Sequence, residues 1–394
     1  MVVCVAGKNR IAVETLKMVL DKSAEVIGLG NQTDDGLDGW QPSYRKFADA
    51  VGVRMVELAD LYEIDGLVLL STEYDKIIRP ARFKADARLY NMHFSILPAY
   101  KGMYTSAHPI LNGEQTSGCT LHTIDPGIDT GPIIDQVVFQ LSQHETAKSL
   151  YGKYIDHGIE LIRANLTELL YSVPPSRPQP VGGSTYYSPA SINYRSLSID
   201  LRQTCEGVIR QIRAFNHRAF QLPLVNGFRI WSALPLDTKT HALPGTVLAK
   251  TSHYIDIATI DYDCRLLFDR FDELLAAVEV DDVETLNEIL NSSPLLMEES
   301  NNRGWTPLIV AAYHNSIKCT SHLIELGVNV NKANEKGTTP LMYAKDGYLL
   351  SGDPRTMIML AKAGASSQKL DMWGRSLFDY ISAEQTSNIA HLLD

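Results

Sequence analysis

Two polar side chains stand two residues apart in an otherwise apolar stretch: Asn91 and His93 in RLYNMHFSIL. In an extended strand such residues project from one face, while Met92 and Phe94 project from the other. An amide can donate to an oxygen that gains negative charge, and an imidazole can donate to it or take a proton. The bland alternative is a buried pair satisfied by ordinary hydrogen bonds, and the strand alone leaves both readings open. A second stretch, SGCTLHTIDPGIDTGPII at 117–134, ends a β-like run in a Pro-Gly turn. It brings a carboxylate, Asp129, just ahead of Thr130-Gly131.

These residues need a scaffold. Residues 1 to about 95 alternate strand and helix signals: VVCVAG, RIAVETLKMVLDK, EVIGLG, SYRKFADAVG, VRMVEL and IDGLVLLST. Such alternation predicts βαβ units and an α/β fold with a mostly parallel sheet. Sheets of that kind carry their sites at the carboxyl ends of the strands. Gly28-Leu29-Gly30 lacks the third glycine and the helix of a dinucleotide fingerprint, so a nicotinamide site is not expected.

The 394 residues exceed one ordinary core and predict two or three domains. With 45% apolar and 21% charged residues the composition is that of a globular protein. The net charge of −10 and the lack of a long Lys/Arg run argue against nucleic acid as a partner. MVVCVAG reads as a first strand rather than a signal peptide, and no apolar run reaches spanning length, so no membrane is expected. Five scattered cysteines form no CxxC, which favours a reducing, cytoplasmic location over a disulfide framework. No convincing metal-ligand spacing occurs among the eleven histidines; His144 with Glu145 reads as a solvated loop or helix end.

SVPPSRPQPVGG, at 172–183, cannot be regular helix or central strand and closes a first domain, taken as 1–182. Residues 183–266 mix one amphipathic helix, RQTCEGVIRQIRAF, with short β-like runs. This small α+β segment is too small to stand alone and is expected to pack on the first domain or on a partner subunit. Residues 267–394 are a repeat array. GWTPLIVAA from Gly304 and GTTPLMYA from Gly337 lie 33 positions apart, and GRSLFDYI from Gly374 is a degenerate third copy. That period, with Thr capping a helix that opens on Pro, is the all-α ankyrin signature. The first unit of the array is expected to be a divergent cap.

NMHFSILPAYKG followed by SGCTLHTIDPGIDTGPII strongly resembles the formyltetrahydrofolate-dependent formyltransferases. That family carries Asn-x-His on one strand, Ser-x-Leu-Pro directly after it, and an Asp about 36 residues past the His; here His93 and Asp129 are 36 apart. The resemblance covers 1 to about 180, and more weakly the segment to 260. It implies a Rossmann-like catalytic domain, 10-formyltetrahydrofolate as co-substrate, and catalytic roles for Asn91, His93 and Asp129. Asn91 would donate to the developing oxyanion. His93 would donate to the same oxygen or take the amine proton, and Asp129 would orient it. Which of His93 and Asp129 takes the proton first stays open. His122 and Asp125 are expected to be structural, the latter a turn-former.

The family divides by its acceptor amine. Initiator methionyl-tRNA needs a basic surface that this acidic chain lacks, and glycinamide ribonucleotide enzymes resemble only the first domain. Sugar N-formyltransferases fit best, so the expected partner is a nucleotide-linked amino sugar, with dTDP as carrier and surface polysaccharide (O-antigen) as destination. A homodimer through the small β-rich segment is implied by the same resemblance. Lys8 and Asn9 after the first strand, and Lys76 after IDGLVLLSTEYD, are candidates to meet the pyrophosphate. Tyr187, Tyr194 and Arg195 are candidates to stack on base or ribose. The ankyrin array is expected to bind a protein. The sharper alternative is an auxiliary nucleotide site where Trp305, at a hairpin tip, stacks on a base. A formyltetrahydrofolate hydrolase and a decayed enzyme serving as an ankyrin scaffold are the competing readings.

Overall fold

The computed structural model describes residues 1–23 and 25–393. Strand β1 (Val3–Gly7) leads into helix α1 (Asn9–Leu20), then β2 (Val26–Gly30), α2 (Tyr44–Ala50), β3 (Arg54–Met55), β4 (Val68–Thr72) and β5 (Arg88–His93). The short β6 (Lys101–Gly102) and α3 (His108–Leu111) follow, then β7 (Thr116–Thr123), β8 (Ile133–Gln140) and the 25-residue α4 (Ala147–Tyr171). Seven strands form one sheet in the order β3-β2-β1-β4-β5-β7-β8. Its first five run parallel, and β7 and β8 pair antiparallel at the other side. The order reverses between β1 and β4, which makes their carboxyl ends the topological switch point of the sheet.

All residues of β1 and β4 are buried, as strands covered on both faces require. Cys4, Ala6, Leu67, Leu69, Ile27 and Leu29 centre one core. On the other face Met92 and Phe94 pack toward α4, where Phe94 stacks on Tyr154 at 5.2 Å. Helix α4 opens on a capping box between Thr146 and Ser149. Just ahead of it, Glu145 is buried and ion-paired with Lys153, so of the solvated loop and the helix end expected there the structure has the helix end, anchored rather than solvated.

Beyond the Pro-rich stretch come β9 (Tyr186–Tyr187), α5 (Cys205–Phe215), β10 (Leu224–Val225), β11 (Phe228–Pro235), β12 (Val247–Lys250), β13 (Tyr254–Ile257) and β14 (Cys264–Phe268). The last five build a second sheet, β10-β11-β14-β13-β12, and β9 pairs in parallel with β6. By compactness the chain forms two units: Met1–Asp38 with Pro42–Leu266, and Leu267–Asp394 with Gly39–Gln41. The segment after 183 therefore belongs to the same unit as the seven-stranded sheet.

The second unit is helical. Helices α6 (Phe271–Glu279) and α7 (Val283–Ser292) precede the pairs α8 (Pro307–His314) with α9 (Ile317–Glu325) and α10 (Pro340–Ser351) with α11 (Arg355–Lys362). Thr306 and Thr339 each cap a helix whose first residue is Pro. In the third copy the first helix shrinks to a 3-10 turn at Leu377–Tyr380 before α12 (Ala383–Leu393). That copy lacks Thr-Pro, and Ser376 and Asp379 close a box around the turn instead. Among the described residues no helix is long and apolar enough to cross a membrane.

Candidate active site

The alternation of β5 carries Asn91 and His93 to one face, and the antiparallel register sets His122 of β7 directly opposite Asn91. Asp129 reaches the same place from the turn after β7. Its backbone is left-handed, with φ +52°, and Gln179 Nε2 holds that turn by donating to the carbonyls of Asp129 at 2.8 Å and Gly131 at 2.9 Å. Asp125 shapes the turn, accepting from Gly127 N–H and the Thr130 hydroxyl.

The three expected side chains meet. Asp129 Oδ2 lies 3.4 Å from His93 Nδ1 and accepts the Gly102 N–H at 2.9 Å. Asp129 Oδ1 lies 3.5 Å from Asn91 Nδ2 and 3.7 Å from His122 Nε2. His122 is the member that strand-by-strand reasoning set aside as merely structural. Its Nδ1 lies 2.8 Å from the Thr123 carbonyl, so that nitrogen carries the hydrogen, and Nε2 accepts from Asn91 Nδ2 at 3.2 Å. The Asn91 amide is thereby fixed in orientation, with its second hydrogen directed at a long contact. Only the β5–β7 register reveals this partner, and a single strand does not contain that signal.

His93 is fixed in the same way. Its Nε2 lies 2.8 Å from the Tyr100 carbonyl, an acceptor only, so the hydrogen sits there and Nδ1 presents its lone pair toward the Asp129 side. Burial lowers the basicity of the His93 ring below its ordinary value, although Asp129 and the Tyr100 carbonyl pull the other way. For Asp129 burial would raise the carboxyl. His93, His122 and the Gly102 N–H outweigh it and hold the group down at about 2. The pair thus consists of a weakly basic imidazole beside a permanent carboxylate, both largely buried.

The other candidates fall in separate places. Lys8 donates to the Thr33 hydroxyl at 3.0 Å. Asn9 joins a cluster with Tyr151 and Glu73, a residue the sequence reading did not single out. Lys76 lies three residues beyond Glu73 in the loop after β4, and Glu73, rather than Lys76, makes the contacts at that strand end. Tyr187 stacks on His108 at 3.7 Å and on Tyr100 at 5.6 Å, next to the loop whose carbonyl holds His93. Tyr194 packs edge-on against Tyr104 at 5.0 Å, and Arg195 is exposed; neither joins the Asn91–His93–Asp129 cluster. Trp305 lies in the helical unit, where it packs on Tyr313 at 5.2 Å and Tyr343 at 5.0 Å, with the Arg303 guanidinium 5.6 Å from its ring centre.

Comparison with known proteins gives two family matches: a formyl transferase domain over residues 22–165, and ankyrin repeats, three copies, over 274–368. Among solved structures, the sugar 3-N-formyltransferase WlaRD, determined in the presence of dTDP and 5-N-formyl-THF, is 34% identical. The match covers 68% of this chain and 97% of WlaRD, with a TM-score of 0.62. The N-formyltransferase of Helicobacter canadensis, in complex with folinic acid and dTDP-3-aminofucose, matches at 34% identity over 68% of this chain and 100% of that one, with a TM-score of 0.62. Methionyl-tRNA formyltransferase of Coxiella burnetii is 26% identical over 269 residues, 64% of this chain and 85% of that protein.

Proposed function

The chain belongs to the formyl transferase family, and from that premise we propose that it moves a formyl group from 10-formyltetrahydrofolate to the amine of a dTDP-linked amino-deoxy sugar. The observation that carries the reading is the joint one of site and kinship. In the cluster of Asn91, His93 and Asp129 the fixed carboxylate lies 3.5 Å from the oxyanion donor and 3.4 Å from the base. The chain also spans nearly all of two sugar N-formyltransferases at 34% identity.

The donor set suits a formyl group. One Asn91 hydrogen is held by His122, and the other makes only the 3.5 Å contact with Asp129, so a formyl oxygen entering there would receive it. As the acceptor nitrogen attacks the formyl carbon, Asn91 stabilises the negative oxygen. His93 Nδ1 takes the surplus proton from that nitrogen, and Asp129, too acidic to take it first, stabilises the imidazolium. His93 then returns the proton to the departing folate nitrogen as the C–N bond to the donor breaks.

Methionyl-tRNA is the second reading, favoured by the similarity to the Coxiella burnetii enzyme. The net charge of −10 weighs against a phosphate-tracking surface. The reading extends to surface polysaccharide synthesis in the cytoplasm, which the five free, buried cysteines suit, and to a homodimer. Support for the dimer comes from β12, an edge strand whose four residues, Val247 and Leu248 among them, are all exposed. At Trp305 we retain an auxiliary nucleotide contact, supported by the aromatic neighbours and Arg303. The test is incubation with 10-formyltetrahydrofolate and a panel of nucleotide-linked amino sugars beside initiator methionyl-tRNA, with mass spectrometry for gain of one CO unit. One formylated sugar, lost in His93→Ala and Asn91→Ala, supports the proposal. Formate release independent of acceptor, or formylated tRNA alone, overturns it.

A further inference from the structure

At the switch point of the sheet, the ends of β1 and β4 bring a carboxylate into an arrangement that packing alone does not explain. Glu73 follows β4 and Asn9 opens α1, and both have left-handed backbones, φ +65° and +60°. Asn tolerates that conformation but Glu rarely adopts it, and such strain concentrates at functional sites. Their side chains converge. Tyr151 of α4 donates to Glu73 at 2.7 Å from Oε2, and Asn9 Nδ2 lies 2.7 Å from the Tyr151 hydroxyl and 3.4 Å from Glu73 Oε2. No lysine or arginine among the described residues pairs with this carboxylate; Lys8 acts on it through space while donating to Thr33. Burial drives the Glu73 carboxyl up to about 7, against the pull of Lys8, Tyr151 and Asn9. Its neighbours therefore do not compensate for taking the charge out of water.

The position is next to the chemistry. Thr72, the last residue of β4, is in register with Met92, so Glu73 leaves β4 at the end of the sheet where β5 carries His93. Tyr151, which holds Glu73, also meets the rings of Phe94 at 6.1 Å and His217, from the end of α5, at 5.8 Å. A carboxylate repels a diphosphate and accepts from hydroxyl or ammonium groups. We infer that Glu73, oriented by Tyr151 and Asn9, is a specificity-determining residue that accepts hydrogen bonds from the hexose ring of the acceptor. The inference rests on the proposed acceptor class. It assigns the end of β4 to the sugar rather than to the pyrophosphate expected of Lys76.

The test is calorimetric titration of the full chain with dTDP and with dTDP-3-aminofucose, alongside steady-state formylation of the latter. The parent should bind the amino sugar nucleotide about ten- to a hundredfold more tightly than dTDP, the range of a hydrogen bond to a charged group. In Glu73→Gln that margin should shrink to about twofold or less. Affinity for dTDP and the KM for the formyl donor should stay at parental values, and the KM for the acceptor should rise. Tyr151→Phe, which keeps the packing on Phe94, should narrow the margin as well and guards against misfolding of the first variant. A parent that formylates the sugar while Glu73→Gln keeps the full margin overturns the inference alone. A parent that neither binds nor formylates any dTDP-linked amino sugar overturns the acceptor reading and the inference with it.

Discussion

Replacing Asp129 by Asn is the most informative single change in the cluster. It removes a charge and keeps the shape, and the left-handed backbone at φ +52° suits Asn as well as Asp, so no strain is added. The carboxyl is held from an ordinary 3.8 down to about 2. At about 1.36 kcal/mol per pH unit this is worth about 2 kcal/mol. Screening removes little of it, because the side chain is 12% exposed. A depressed carboxyl contributes its stability fully above pH 3.8 and loses it as the pH falls through about 2. Part of that figure requires a protonated His93, however. Burial keeps the ring neutral at pH 7.5, so we expect a loss of about 1 kcal/mol there, mainly the charge-assisted bond from Gly102. Activity should suffer far more. The neutral amide cannot stabilise an imidazolium at Nδ1, and its NH2 can turn to Nδ1 and occupy the lone pair. With both substrates saturating, kcat should fall about 10²- to 10³-fold while thermal melting shows a folded protein. An Asp129→Asn enzyme within about fivefold of the parental kcat would refute the division of labour between His93 and Asp129.

Other expectations follow from the same electrostatics. Because burial lowers His93 and the base must be neutral, the acid limb of kcat against pH should fall with a midpoint below 6.5, the ordinary histidine value; a midpoint above it would contradict the assignment. Glu73 has its folded value raised from 4.5 to about 7, so the native state loses stability as the pH rises through that range. Glu73→Gln should therefore raise the melting temperature at pH 8 and change it little at pH 4, as seen by calorimetry; a lower melting temperature at pH 8 would mark Glu73 as a structural anchor instead. If the ankyrin unit holds a nucleotide, titration with dTDP-sugar should give more than one site per chain, and Trp305→Ala should reduce this to one. Parental stoichiometry of one, unchanged in the variant, removes that site.

What the sequence discloses depends on how far each contact reaches. The shared face of Asn91 and His93 follows from the period of a strand, and the ankyrin copies follow from a 33-residue period, since both are local regularities. Asp129 could be found only through family spacing, because a turn fixes its position and turns carry no period. His122 needed the pairing Asn91↔His122, a fact of register between two strands 31 residues apart in sequence. Glu73 looked like any loop residue in STEYDK. Its meaning came from a strand order that places β1 beside β4, and from Tyr151, 78 residues away. The Tyr100 carbonyl is backbone, to which composition and pattern are blind.

The Pro-rich stretch at 172–183 looks like a place to cut. The contacts it carries say otherwise. Gln179 ties down the turn that bears Asp129, and just past the stretch the Tyr186–Tyr187 strand lies alongside Lys101–Gly102, whose N–H grips the Asp129 carboxylate. A Cβ at Gly102 would stand 2.3 Å from the Tyr187 carbonyl, so that strand sits too close for any residue larger than glycine there. The chain thus returns, after leaving its first sheet, to brace the loop it has just built. Anyone shuffling this catalytic sheet onto other partners would have to carry the brace along, and the natural seam for such recombination lies beyond Tyr187, not at the prolines.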